Sequence, residues 1–207
     1  MTRVRITYNA PVVLTFTLAA VAVFLLAGPF DGSQLDPSSL KSWFVAFPTF
    51  SYGAHSYVGL FSHILGHASW AHLLGNFTLI LLLGPILEER HGSLGLLAMI
   101  LITALVTGLA NVAFSNHVVL GASGVAFMMI LLASTANIRR REIPLTFIAV
   151  AMIYLGGELY RAFTATDNIS HLTHLIGGLA GALFGFLGAR ARAEPKLVVG
   201  VTKASGR

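Results

Sequence analysis

Residues 61–87 read Phe61-Ser-His63-Ile-Leu-Gly-His67-Ala-Ser-Trp70-Ala-His72-Leu-Leu-Gly-Asn76-Phe-Thr-Leu-Ile-Leu-Leu-Leu-Gly-Pro85-Ile-Leu87. A histidine-rich stretch gives way at Trp70 to an apolar run that His72, Asn76 and Thr78 interrupt near its start. Crossing roughly 30 Å of hydrocarbon takes about 20 mostly apolar residues in a helix, so this segment reads as a membrane span with polar groups at one end. Five more such runs lie around it: Ala10–Ala27, Leu94–Phe114, Val118–Ala136, Leu145–Phe163 and His171–Ala189. Composition agrees, because 56% of the 207 residues are apolar and only 10% charged, against roughly 25% charged in a soluble domain. Disorder and an ordinary soluble enzyme are both excluded on that balance. The absence of cysteine removes disulfides, thiolate metal sites and a thiol nucleophile.

The expected fold is therefore all-α, a polytopic membrane bundle of six transmembrane helices over residues 10–190. A short N-terminal segment, 1–9, precedes it and a basic tail, 191–207, follows. Arg3 and Arg5 ahead of the first run also allow a signal peptide, but the run is longer than an h-region and lacks a convincing A-x-A exit. Residues 31–69 form the long connection, and Trp43, Phe44, Phe47, Phe50, Tyr52, Tyr57 and Phe61 suit the membrane interface. With alternate connections on alternate sides, eleven basic residues share one side: Arg3, Arg5, Arg90, Arg139, Arg140, Arg141, Arg190, Arg192, Lys196, Lys203 and Arg207. Lys41 and Arg161 share the other. That asymmetry orients both termini to the cytoplasm and turns the net charge of +5 into a topology signal, not a nucleic-acid surface.

Polar side chains inside a span are expensive and mark functional sites. On the second span His72 and Asn76 are four apart and share a helix face. The fourth carries Gly121-Ala-Ser123-Gly124, and the sixth opens with His171 and His174 ahead of Gly177, Gly181 and Gly185. These three spans enter from the outer side, and Asn76, Ser123 and His174 fall three to six residues inside their runs, on the order of 5 to 9 Å deep. A glycine strip at helical spacing lets another helix approach the sixth closely, as a short serine side chain must do to reach an imidazole.

These residues resemble the rhomboid intramembrane serine proteases over about 130 residues, from His63 to Ala189. The matching motifs are His72-x-x-x-Asn76, Gly121-x-Ser123-Gly124 and His174-x-x-Gly177-x-x-x-Gly181. The resemblance implies Ser123 as nucleophile and His174 as general base, with His72, Asn76 and the Ser123 N–H on the oxyanion. Gly121, Gly124, Gly177 and Gly181 are implied structural neighbours of the site. Glu88-x-x-x-Gly92 is similar to a recurrent structural motif of the family. Where many members have a tyrosine stacked on the histidine, this chain has Phe127, and Lys41-Ser-Trp43 stands where many have Trp-Arg.

The expected chemistry is a dyad, since no acidic residue lies at that depth. Expected substrates are single-span membrane proteins cut near their outer end, beside helix-destabilising glycine or proline. The expected setting is a multi-pass protein of the plasma membrane with its site open outward. Neither cofactor, metal nor nucleic acid is implied, and the lipid bilayer is the other partner. Short glycine motifs also pack helices, and His–Asn pairs also serve as polar glue, so it is the conjunction of three motifs at one depth that favours catalysis. His63 and His67, four apart, suggest a metal pair only until one notes that no carboxylate or cysteine joins them, and they are read as structural or cavity-lining. His171 competes with His174 as base, and Glu158 with Arg161 reads as a local ion pair. A non-catalytic rhomboid-like binder of transmembrane segments and a His-lined transporter remain the alternatives.

Overall fold

A backbone in hydrocarbon must satisfy its own hydrogen bonds, and helices do so within one segment. The computed structural model describes residues 7–30, 36, 38–135, 143–157, 159–160 and 171–193, and these are helical almost throughout. Seven α-helices follow in order: α1 (Pro11–Ala27), α2 (Ala54–Ser62), α3 (Trp70–His91), α4 (Ser93–Phe114), α5 (Ser123–Ser134), α6 (Leu145–Ala151) and α7 (His171–Ala193). Among the described residues there is no strand, only an isolated antiparallel bridge between Ala46 and Val119. α3, α4 and α7 are long and apolar enough to cross a membrane, and α1, α5 and α6 belong to shorter apolar helices. Arg3, Arg5, Arg139 to Arg141, Glu158, Arg161, Lys196, Lys203 and Arg207 lie outside the described residues, as do the side chains of Arg190 and Arg192.

Two expectations change. Residues 31–69 hold more than loop, with a 3-10 turn at Leu40–Phe44, α2, and a second 3-10 turn at His63–Leu65. Their aromatic rings pair off, Phe47 on Tyr52 at 4.2 Å and Phe50 on Tyr57 at 5.2 Å. The fourth apolar run also turns helical only at Ser123, not at Val118. Before that point the backbone is committed elsewhere. Val119 and Ala46 exchange N–H···O bonds of 3.0 and 2.8 Å, the Gly121 N–H donates to the His63 carbonyl at 2.9 Å, and Gly121 has a left-handed φ of 116°.

Glu88-x-x-x-Gly92 acquires a physical reading. Gly92, at φ 76°, makes the turn from α3 into α4. The Glu88 carboxylate accepts from the N–H groups of Val12 and Val13, both at 3.0 Å, and from the Ser93 hydroxyl at 2.7 Å. Pro11 has no N–H to satisfy at the start of α1, so Glu88 caps the next two. Close by, a Cβ on Gly84 would stand 2.6 Å from a Val13 methyl, so the Val13 side chain of α1 packs directly on the backbone of α3. Glu88→Ala strands buried donors and is expected to destabilise the fold by about 2 kcal/mol, with Glu88→Gln intermediate. Thermal unfolding in detergent micelles checks this; equal midpoints for wild type and Glu88→Ala would refute the capping role.

Candidate active site

The site grows from the contact between α5 and α7. A Cβ on Gly177 would run into the carbonyl of Gly124, one on Gly181 into the carbonyl of Met128, and one on Gly185 into the side chain of Thr135. The expected glycine strip is therefore filled by the backbone of α5 at Gly177 and Gly181 and by the Thr135 side chain at Gly185. Gly124 reciprocates, since a Cβ there would lie 3.2 Å from a Thr173 methyl and 3.3 Å from one on Thr107. Gly121 does something different from clearing space for α7. A Cβ on it would stand 2.7 Å from Cε1 and 2.8 Å from Nε2 of His72, so this glycine makes room for the imidazole on α3.

Within residues 121–132 every side is buried except at Ser123 and Phe127. Four apart, these two share the one open face of α5. The Phe127 ring lies flat on His174, with centroids 4.6 Å apart and planes within 5°. His171 is one turn further out on α7 and buried, so of the two competing histidines it is His174 that Phe127 stacks upon. Ser123 is the first residue of its helix, not several residues inside it. The opening N–H groups of a helix have no intrahelical acceptor and carry the positive end of its dipole, so negative charge is favoured at this position.

Across the cleft, α3 presents His72 and Asn76. Ser69 caps α3 by accepting from the His72 N–H at 3.1 Å. The Ala68 N–H approaches Nδ1 of His72 at 3.5 Å, which leaves Nε2 as the proton-bearing nitrogen on the side of Gly121. Asn76 is buried, its Nδ2 3.2 Å from Nε2 of His67 and 3.6 Å from where a Gly121 Cβ would be. His72, Asn76 and Gly177 thus meet the turn of backbone 121–124, and His174 stacks on Phe127 one turn further along α5.

A family model for the rhomboid domain matches residues 54–191. The chain belongs to the rhomboid family. This rhomboid is 28% identical over 200 residues to rhomboid-related protein 1 of Caenorhabditis elegans, covering 84% of the chain and 54% of that relative. It is 32% identical over 137 residues to rhomboid protease GlpG of an Enterobacter species, covering 64% of the chain and 50% of the relative. To rhomboid protease GlpG of Haemophilus influenzae it is 22% identical over 134 residues, covering 63% and 69%. The chain spans about half the length of the first and second of these relatives.

Three further residues beside the candidate site escaped the motif reading. Tyr154, in a π-helical turn over Met152–Gly156, sets its ring at right angles to Phe127 at 5.7 Å. Asn111 on α4 donates through Nδ2 to the carbonyls of Ala46, at 3.0 Å, and His117, at 3.1 Å, fixing the loop that leads to Ser123. Thr107, a turn earlier, lies 3.4 Å from Nε2 of His63. Polarity inside an apolar run is the signal that would have found Asn111, whereas Tyr154 offers none.

His63 and His67 stand ahead of α3, in the connection outside the spanning helices. Burial pushes both down to about 4; for His67 the neighbouring His72 adds to the effect, while carbonyl contacts oppose it in each. Unfolded, each titrates near 6.5. The depressed folded value means that their contribution is present above about pH 6.5 and is lost as pH falls toward 4, on the order of 3 kcal/mol for fully buried His63. The thermal midpoint in detergent is expected to drop steeply between about pH 6.5 and 4; a flat profile there would contradict burial of neutral rings. The glycine strip makes its own prediction: Gly177→Ala and Gly181→Ala should each cost about 1 to 3 kcal/mol by overpacking. Gly75→Ala, with nothing within 4 Å, serves as the neutral control in the same melts.

Proposed function

We propose that this rhomboid is an intramembrane serine endopeptidase in which Ser123 is the nucleophile and His174 the general base. The observation that carries the reading is the parallel stack of His174 on Phe127, which holds an imidazole on the open face of α5 one turn from Ser123. A serine hydroxyl attacks a peptide carbonyl only when a neutral base takes its proton. His174 accepts that proton as the C–O bond forms, then delivers it to the leaving amine as the C–N bond breaks. Water, deprotonated by the same ring, hydrolyses the acyl-enzyme. The oxyanion of each tetrahedral intermediate meets the Ser123 N–H at the start of α5, the Asn76 amide and Nε2–H of His72, donors worth roughly 3 to 4 kcal/mol apiece in comparable sites. Phe127 orients the base by its ring face alone, without the hydroxyl many family members have there.

Six spans with both termini in the cytoplasm, a plasma-membrane location and a site open to the outside complete the proposal, supported by the basic asymmetry of the sequence. The substrates are single-span membrane proteins. A helix hides its carbonyls in internal hydrogen bonds, so cleavage falls near the outer end where glycine or proline loosens the substrate helix.

The purified protein in detergent is expected to react with a fluorophosphonate probe and to cleave a helical test substrate. Ser123→Ala and His174→Ala should lower both activities by at least about 10³-fold, and activity should climb from about pH 5 to 8 as the imidazole becomes neutral. Replacing glycine or proline near the cut site with leucine should slow cleavage. A wild type that binds the substrate helix yet never reacts with the probe would replace this reading with that of a non-catalytic binder.

A further inference from the structure

His67 is left unused by this mechanism, yet it sits between two of its parts. The residue is 1% exposed, with its ring edge-on to His72 at 5.0 Å and tilted on Phe77 at 5.6 Å. Its approach is fixed by Gly66, where a Cβ would run into the carbonyl of Phe44. Nδ1 of His67 is 3.2 Å from the Leu65 carbonyl oxygen, which can only accept, so Nδ1 carries the proton. In a neutral ring Nε2 then holds a lone pair. That nitrogen is 3.2 Å from Nδ2 of Asn76 and 3.4 Å from the backbone N of Ala122.

This arrangement decides which way an asparagine points. The two ends of an amide are nearly the same size, and packing alone does not choose between them. A lone pair on Nε2 chooses the NH2 end, because the carbonyl oxygen would face it with like charge. One amide N–H goes to His67, and the second is free to point toward Gly121 and Ser123. Flipped, Asn76 would set a carbonyl oxygen against the developing oxyanion. The same lone pair also accepts the N–H of Ala122, the residue before the nucleophile, so α3 and the start of α5 are tied to one atom.

We infer that His67 is a positioning residue that acts through Asn76, holding the amide with its donor end in the oxyanion site and the 121–123 turn in register with it. The inference rests on the protease reading above. Phenylalanine at 67 keeps ring volume and removes the acceptor. Glutamine can set an amide oxygen near the position of Nε2, whereas asparagine reaches only as far as Nδ1.

The test measures kcat and KM on a helical substrate, with fluorophosphonate labelling alongside. His67→Phe is expected to lower kcat about 30-fold, somewhat less than outright loss of an oxyanion donor, with KM within about twofold. His67→Gln should recover to within about threefold of wild type while His67→Asn stays as impaired as the phenylalanine variant. In an Asn76→Ala background, His67→Phe should cost no more than about threefold further. Should the phenylalanine variant fail to fold, the comparison of glutamine with asparagine decides alone. Glutamine no better than asparagine, a loss confined to KM, or full multiplication of the two single losses would overturn the inference. Absence of probe labelling in wild type, or equal labelling of Ser123→Ala, defeats the protease reading and the role of His67 with it, and is recognised before any variant at 67 is compared.

Discussion

Gly177 has no room for a methyl group because the carbonyl of Gly124 occupies it, and Gly181 stands in the same relation to Met128. Everything at the site depends on this contact between two backbones. Within lipid no hydrophobic force pulls helices together, so close van der Waals fit has to do it, and small residues are what permit the fit. The consequence reaches beyond stability. Serine has a reach of one carbon, so a helix pair held apart by leucines could never bring its hydroxyl to an imidazole on the neighbour. The glycines at 177 and 181 set the separation, Thr173 and Thr107 close over Gly124, and Phe127 fixes the plane of the ring.

A second constraint comes from making Ser123 a helix start. Residues 115–122 run largely non-helical up to a buried position, and each N–H there needs a partner. The partners are Ala46 for Val119, the His63 carbonyl for Gly121 and Nε2 of His67 for Ala122. Asn111 meets the carbonyls of Ala46 and His117. The connection between α1 and α3 is thus a scaffold for the turn before Ser123. Its helical content follows from this, because a segment lending acceptors to its neighbours must have its own backbone satisfied internally.

Legibility in the sequence tracked how local each signal was. Six apolar runs stood out because hydrocarbon imposes one length on all of them. His72, Asn76, Ser123 and His174 were visible because polarity inside such runs is rare, and the glycine strip because 177, 181 and 185 keep helical spacing. The late start of α5 was hidden, since Val118 and Val119 are as apolar as any spanning residue and only the pairing of Val119 with Ala46 holds the segment out of the helix. Gly121 was legible as small but not as the space for His72. Tyr154 could not be found at all, because an aromatic residue in an apolar run is ordinary until a π-helical turn sets it against Phe127.

The groups around Ser123 also share a property that suits their depth. His67 and His72 adopt opposite tautomers, one with its proton on Nδ1 and the other on Nε2, and each is dictated by a backbone group beside the ring. Asn76 and the first N–H groups of α5 add neutral dipoles beside them. A permanent charge here would pay a desolvation cost in every resting molecule, whereas oriented dipoles cost nothing until charge develops. In the reaction we propose, the imidazolium and the oxyanion arise together in a weakly screening environment, so each favours the other for as long as both exist.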